Sequence, residues 1–166
     1  MKTWLYSSWS VVALLLALAT PGFTTHAADG ATAKRPAIYD EKADGSKQVA
    51  EALALAKKED KRVLLQFGAN WCGWCHKLHE LFASNPAIRD QLKSGYVVVL
   101  IDVNEDHNAS VNKQYDNPMR FGLPSIVILD AEGKLLTIKD SGELEDGDHH
   151  DPKRVLDFLK LWARKK

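Results

Sequence analysis

A chain of 166 residues, 45% hydrophobic and 27% charged, has the length and composition of one ordinary globular domain. Its 22 basic and 22 acidic residues cancel, so it lacks the basic excess of a nucleic-acid binder.

At the start of the chain Lys2 precedes the apolar run Val11 to Ala19, followed by Pro21, Gly22 and a small-residue site at Thr25-His26-Ala27. Residues 1–27 therefore read as a secretory signal peptide. The run is too short for a membrane span, which takes about 20 consecutive apolar residues, and no cysteine follows it closely enough to carry a lipid. Loss of 1–27 would remove Lys2 alone among the charged residues and leave one acidic residue in excess. The destination expected is an oxidising compartment, the bacterial periplasm first, with no membrane insertion after cleavage. Residues 28–45 are rich in Ala, Gly, Lys and Asp, contain Pro36 and show no period; they read as a flexible leader, with the folded domain at 46–166.

Within that domain Ser46 is placed to cap a helix running to about Lys58, with Val49, Leu53 and Ala56 on one face. A short apolar strand follows at Arg62 to Phe67, and helical spacing of apolar residues resumes from His76 to Phe82. Between the two lies Trp71-Cys72-Gly73-Trp74-Cys75-His76, which holds both cysteines of the chain. Residues three apart on a first helical turn are about 5–6 Å apart, inside the Cα separation of about 4.4–6.8 Å that a disulfide requires. Cys72 near the N-cap meets the free N–H groups and positive end of the helix, which favour a thiolate. It is the candidate nucleophile, and Cys75, one turn inside, the candidate resolving thiol. A structural staple is the weaker reading, because a four-residue ring gains little of the entropy that long disulfide loops gain.

Asn85-Pro86 starts a second short helix at Ala87 to Lys93, ended by Gly95. Tyr96 to Val103 is a near-continuous apolar run, read as a central strand covered on both faces. Asn104 to Asn117 is polar, with a helix around Ala109 to Tyr115; Asn108-Ala109-Ser110 matches a glycosylation sequon, but so short a pattern is common by chance and implies little. Ser125 to Asp130 and Leu135 to Lys139 form a hairpin about Glu132-Gly133. Ser141 to His150 is acidic; metal binding by Asp146, Asp148, His149 and His150 is conceivable, but no regular element fixes those side chains and a solvated loop is preferred. Asp151-Pro152 caps a last helix whose Val155, Phe158, Leu159 and Trp162 form an apolar stripe.

From about Lys47 to the C-terminus the chain resembles the thioredoxin superfamily. The resemblance rests on the strand followed by Trp71-Cys72-Gly73-Trp74-Cys75, on Gly122-Leu123-Pro124-Ser125 leading into Ile126 to Leu129, and on the Asp130 to Lys134 hairpin. It implies an α/β thioredoxin-like fold, a central mixed sheet flanked by helices, and thiol–disulfide exchange with protein or small-molecule substrates. It also implies that Pro124 is cis and shapes a groove beside the cysteines. There a substrate segment pairs with backbone near Leu123, and Trp71 and Trp74 supply apolar contact. Two positions depart from the family. Gln66 stands where thioredoxins place a buried acid, so it cannot take the proton of the resolving thiol. Trp74 replaces the proline of thioredoxins; its retained N–H can point at Cys72 Sγ, and a protonated His76 adds positive charge, both lowering the Cys72 pKa. Gly73 completes this set of tuning residues.

Three rivals use the same residues. Cys72-Gly73-Trp74-Cys75-His76 also spells the attachment motif of a c-type haem, with His76 and Met119 as axial ligands, but such domains are mostly helical whereas this chain offers four strands. Zinc on Cys72, Cys75, His76 and His79 would draw all ligands from eight residues, whereas such sites use two separated pairs. A non-catalytic binding module would not need the second cysteine. The reading is thus an oxidoreductase with no cofactor or metal beyond its Cys72–Cys75 disulfide, monomeric, and dependent on a redox partner to recharge it.

Overall fold

The computed structural model describes residues 35–165. The signal peptide expected at 1–27 lies outside the described residues, as do the first seven residues of the expected leader. The remainder of that leader, residues 35–44, belongs to the folded domain: Tyr39 is 3% exposed and packs against both cysteines. A segment without period gives no sign of burial when a single aromatic side chain anchors it, and that is the case here.

Helix α1 spans Gly45–Glu59. Its cap is Asp44, whose carboxylate accepts from the N–H groups of Ser46 and Lys47, rather than Ser46 itself. Strand β1 (Arg62–Gly68) runs into α2 (Gly73–Ser84), and Asn85 both ends α2 and caps α3 (Pro86–Gly95). Strand β2 (Tyr96–Asp102), the short α4 (Ala109–Gln114), β3 (Ser125–Leu129) and β4 (Leu135–Asp140) follow. A two-residue hairpin, β5 (Glu145–Asp146) and β6 (His149–His150), precedes α5 (Pro152–Trp162), capped by Asp151.

The main sheet has the order β2-β1-β3-β4. β1 pairs with β2 in parallel and with β3 antiparallel, and β3 and β4 form the antiparallel hairpin, so the sheet is mixed as expected. β2, however, is an edge strand: among the described residues only β1 pairs with it, and Val98 is partly exposed. Its apolar run reflects helices packed over it, not a neighbour on each side.

The strand period of two divides the core. Val63, Leu65, Phe67, Val127 and Leu129 point to one side, where Val49, Ala52 and Ala56 of α1 and Val111 of α4 cover them. Leu64, Ile126 and Ile128 point to the other, under Leu78 and Phe82 of α2, Ile88 and Leu92 of α3, and Val155, Phe158 and Leu159 of α5. Gln66 shares the parity of Leu64 and therefore faces α2 from a fully buried position.

The polar stretch after β2 is fastened by Asn108. Its Oδ1 accepts from Gly45 N–H at 2.8 Å, and its Nδ2 donates to the carbonyls of Asp102 at 3.0 Å and Ala43 at 3.4 Å. The acidic stretch is no solvated loop throughout. His150 is buried at 3% exposure with its ring edge-on to Trp74, centroids 5.3 Å apart, because the β5–β6 hairpin folds down on α2. Among the described residues no helix is long and apolar enough to cross a membrane.

Candidate active site

β1 ends at Gly68, and Ala69 to Trp71 form the turn that delivers Cys72 to the N-cap of α2. Cys72 and Cys75 are joined in a disulfide, their Cα atoms 5.3 Å apart. Cys72 Sγ accepts a hydrogen bond from the Cys75 N–H at 3.1 Å. The donor expected at Trp74 is therefore supplied instead by Cys75, the third residue of the turn, as N-cap geometry dictates. Cys72 is 5% exposed and Cys75 not at all.

His76 directs Nε2 to the Asn70 carbonyl at 2.8 Å, so its ring holds the turn. Trp71 is 68% exposed and donates its indole N–H to Asn104 Oδ1 at 3.0 Å. Trp74 is half-buried against the cysteine cluster, between the His150 ring and Lys77, whose Nζ lies 4.3 Å above it. Leu123 also packs on that cluster, and Pro124, buried beside it, follows a cis peptide bond. The structure thus brings Cys72, Cys75, Trp74 and Leu123 into one group with Gln66 beneath it.

Several residues at the site carry no sequence motif. Gln66 Nε2 donates to the Tyr39 hydroxyl at 2.7 Å and to the Cys75 carbonyl at 3.3 Å. Asn70 holds the Tyr39 segment: its Oδ1 accepts from the N–H groups of Ile38 and Tyr39, each at 2.9 Å, and its Nδ2 donates to the Tyr39 carbonyl at 3.0 Å. Gly68 is required by close approach, since a Cβ there would stand 2.2 Å from the Tyr39 hydroxyl and 2.7 Å from Cys75 Sγ. On the far side of the turn, the buried Asp102 accepts from His107 Nδ1 at 2.9 Å and from Asn104 N–H at 3.2 Å. Arg35 lies over Gly73, its Nη1 3.2 Å from where a Cβ would stand. Burial lowers the His150 pKa below the ordinary histidine value.

Met119 packs on the opposite side of the sheet from α2, so the structure does not bring it opposite His76, and Cys75 is buried in one cluster with Tyr39. The two sulfurs bind each other, and among the described residues no three or more His, Cys, Asp or Glu side chains converge as metal ligands.

A thioredoxin-like family profile matches residues 44–131, from the α1 cap through the hairpin turn. The chain belongs to the thioredoxin-like family. In this family setting, the disulfide at the start of α2 supports thiol–disulfide oxidoreductase activity. The fold of this thioredoxin-like chain is similar to that of a disulphide isomerase from Xylella fastidiosa Temecula1, with 34% identity and a TM-score of 0.69 over 76% of this chain and 97% of that one. In sequence it is 29% identical over 133 residues to the thiol:disulfide interchange protein DsbD of Vibrio vulnificus, covering 78% of this chain but only 22% of that protein. It is also 29% identical over 94 residues to the disulfide bond reductase DsbH of Chlamydia pneumoniae, over 52% of this chain and 57% of that protein.

Proposed function

We propose that the chain is an exported thiol–disulfide oxidoreductase, acting on protein or small-molecule disulfides in the bacterial periplasm, with Cys72 attacking and Cys75 resolving. The observation that carries this reading is the asymmetry of the pair. Cys72 is the sulfur at the helix N-terminus, with a backbone donor aimed at it, while Cys75 is sealed behind it. A substrate thiolate or disulfide meets Cys72 first. Once Cys72 is in a mixed disulfide, Cys75 is one turn away to displace the substrate.

Export is supported by the leader pattern at 1–27 and by relatives named for disulfide exchange. The exposed Trp71, the Trp74 ring and Leu123 beside Pro124 offer the apolar contact and backbone edge that an extended substrate segment would use. No cofactor other than the dithiol is required. In this reading the chain acts as a monomer, and since its 166 residues hold a single cysteine pair, a separate redox partner recharges it. The names DsbH and DsbD belong to a disulfide reductase and an interchange protein, and we favour the reducing direction over oxidation.

The test is trapping. Cys75→Ala should accumulate mixed disulfides with protein substrates, resolvable on non-reducing gels, and Cys72→Ala should accumulate none. Equal trapping by both variants would contradict the division of roles. Repeated turnover of a disulfide substrate without added thiol, oxidant or partner would contradict the need for recharging.

A further inference from the structure

Cys75 presents a physical difficulty that Cys72 does not. When the disulfide opens, one sulfur leaves with the bonding electron pair, and a thiolate in a fully buried position is strongly disfavoured unless a donor faces it. The N–H groups of the helix start serve Cys72. Position 66 offers no acid, and both Nε2 hydrogens of Gln66 are engaged, one with the Cys75 carbonyl and one with the Tyr39 hydroxyl oxygen. The opposite amide orientation would set Gln66 Oε1 3.3 Å from the Cys75 carbonyl oxygen, acceptor against acceptor, which favours the donor orientation; in it Oε1 is buried without a partner among the described residues.

That orientation determines where the phenol points its hydrogen. Tyr39 Oη accepts from Gln66, so its own O–H is free to donate elsewhere. Among the described residues no nitrogen or oxygen accepts it. Cys75 Sγ is its near neighbour, without a hydrogen bond between them while the disulfide is closed: the two atoms stand 2.2 Å and 2.7 Å from the point a Cβ at Gly68 would occupy, and Tyr39 packs in one cluster with the two cysteines. Asn70, two residues before Cys72, clamps the Tyr39 backbone from both its N–H and its carbonyl, so the phenol is positioned by the active-site turn itself.

We propose that Tyr39 is a catalytic residue whose hydroxyl donates a hydrogen bond to the Cys75 thiolate whenever the Cys72–Cys75 bond opens. It rests on the oxidoreductase reading for its role in turnover. In the opening step an incoming thiolate attacks Cys72 Sγ, a new sulfur–sulfur bond forms there, and the Cys72–Cys75 bond breaks with its electron pair moving to Cys75. The anionic charge passes from the attacking sulfur to Cys75, and the phenol keeps its proton while donating to it. The closing step is the reverse: the Cys75 thiolate attacks Cys72 Sγ and expels the bound thiolate. Burial raises the phenol's pKa, so it remains a donor and does not act as a base.

The test is titration of the isolated sulfurs by thiolate absorbance at about 240 nm. In the Cys72→Ala chain, Tyr39→Phe should raise the Cys75 midpoint by about one pKa unit, a tenfold loss of thiolate at a given pH. Fluorotyrosine placed at position 39, a stronger donor of the same shape, should lower it. In the Cys75→Ala chain neither change should move the Cys72 midpoint. A Cys75 midpoint indifferent to both replacements, or equal movement of both sulfurs, would overturn the proposal; if Tyr39→Phe does not fold, the fluorotyrosine chain decides. Turnover of a disulfide substrate by the intact chain with added thiol is a separate measurement. A chain that titrates as stated yet turns over nothing would retain the hydrogen bond and lose the oxidoreductase reading.

Discussion

The two sulfurs of one disulfide sit in surroundings built by different means. Cys72 is held by local geometry: an N-cap position, a helix start and an N–H from three residues on. Cys75 is held by distant segments: Gln66 from β1, Tyr39 from ahead of α1, and Gly68, whose missing side chain leaves room for the Tyr39 hydroxyl and Cys75 Sγ. Local geometry tolerates change in the rest of the chain, whereas a site assembled from separate segments fails when any one of them moves.

Variants can separate the two environments. Gly68→Ala should have the largest effect on the Cys75 side, because the added methyl overlaps the Tyr39 hydroxyl and Cys75 Sγ; a loss of about 3 kcal/mol is expected from overpacking, read from urea denaturation. Asn70→Ala should cost about 2 kcal/mol through the lost clamp and expose residues 35–44 to limited proteolysis. Unaltered proteolysis would show that the segment is held by Tyr39 packing alone.

On the Cys72 side, the Cys75→Ala chain should titrate with a midpoint near or below about 7, and one at or above the roughly 8.5 of free cysteine would contradict the helix-terminal argument. Trp74→Pro leaves the Cys75 N–H in place and should move that midpoint little. The smallest effect concerns the hairpin against Trp74. Burial depresses the His150 pKa below 6.5, so the unfolded chain binds the proton more readily. Stability should be complete above pH 6.5, decline as the pH falls from there to the folded pKa, and level off below it. His150→Gln should flatten this part of the profile of urea midpoints, and an unchanged slope would exclude His150 as its source.

The same contrast decides what could be read in advance. The cysteine spacing, the N-cap, the β3–β4 hairpin and the apolar stripe of α5 are written in neighbouring residues, and the structure places each near where the periodicity puts it. Tyr39 lay in a stretch with no period, and nothing in its neighbours points to Gln66. β2 looked central because apolar content reports coverage by helices and cannot distinguish one neighbouring strand from two. His150 looked solvated because it stands among acidic residues, while its partner Trp74 is 76 positions away. A buried glutamine in place of an acid was visible as an anomaly, but its meaning depended on the phenol that meets it.

Asn108 also bears on what a glycosylating host would do to this chain. Its side-chain nitrogen, the atom to which an oligosaccharide would be attached, already donates to two carbonyls, from Asp102 and Ala43. A sugar on that nitrogen replaces one of its hydrogens and leaves a single donor for the pair. In a eukaryotic secretory host that modifies the Asn108-Ala109-Ser110 sequon before folding finishes, the sugar would mark molecules in which this latch had not closed. Glycosylated and unglycosylated chains from such a host would therefore differ at this latch as well as in mass.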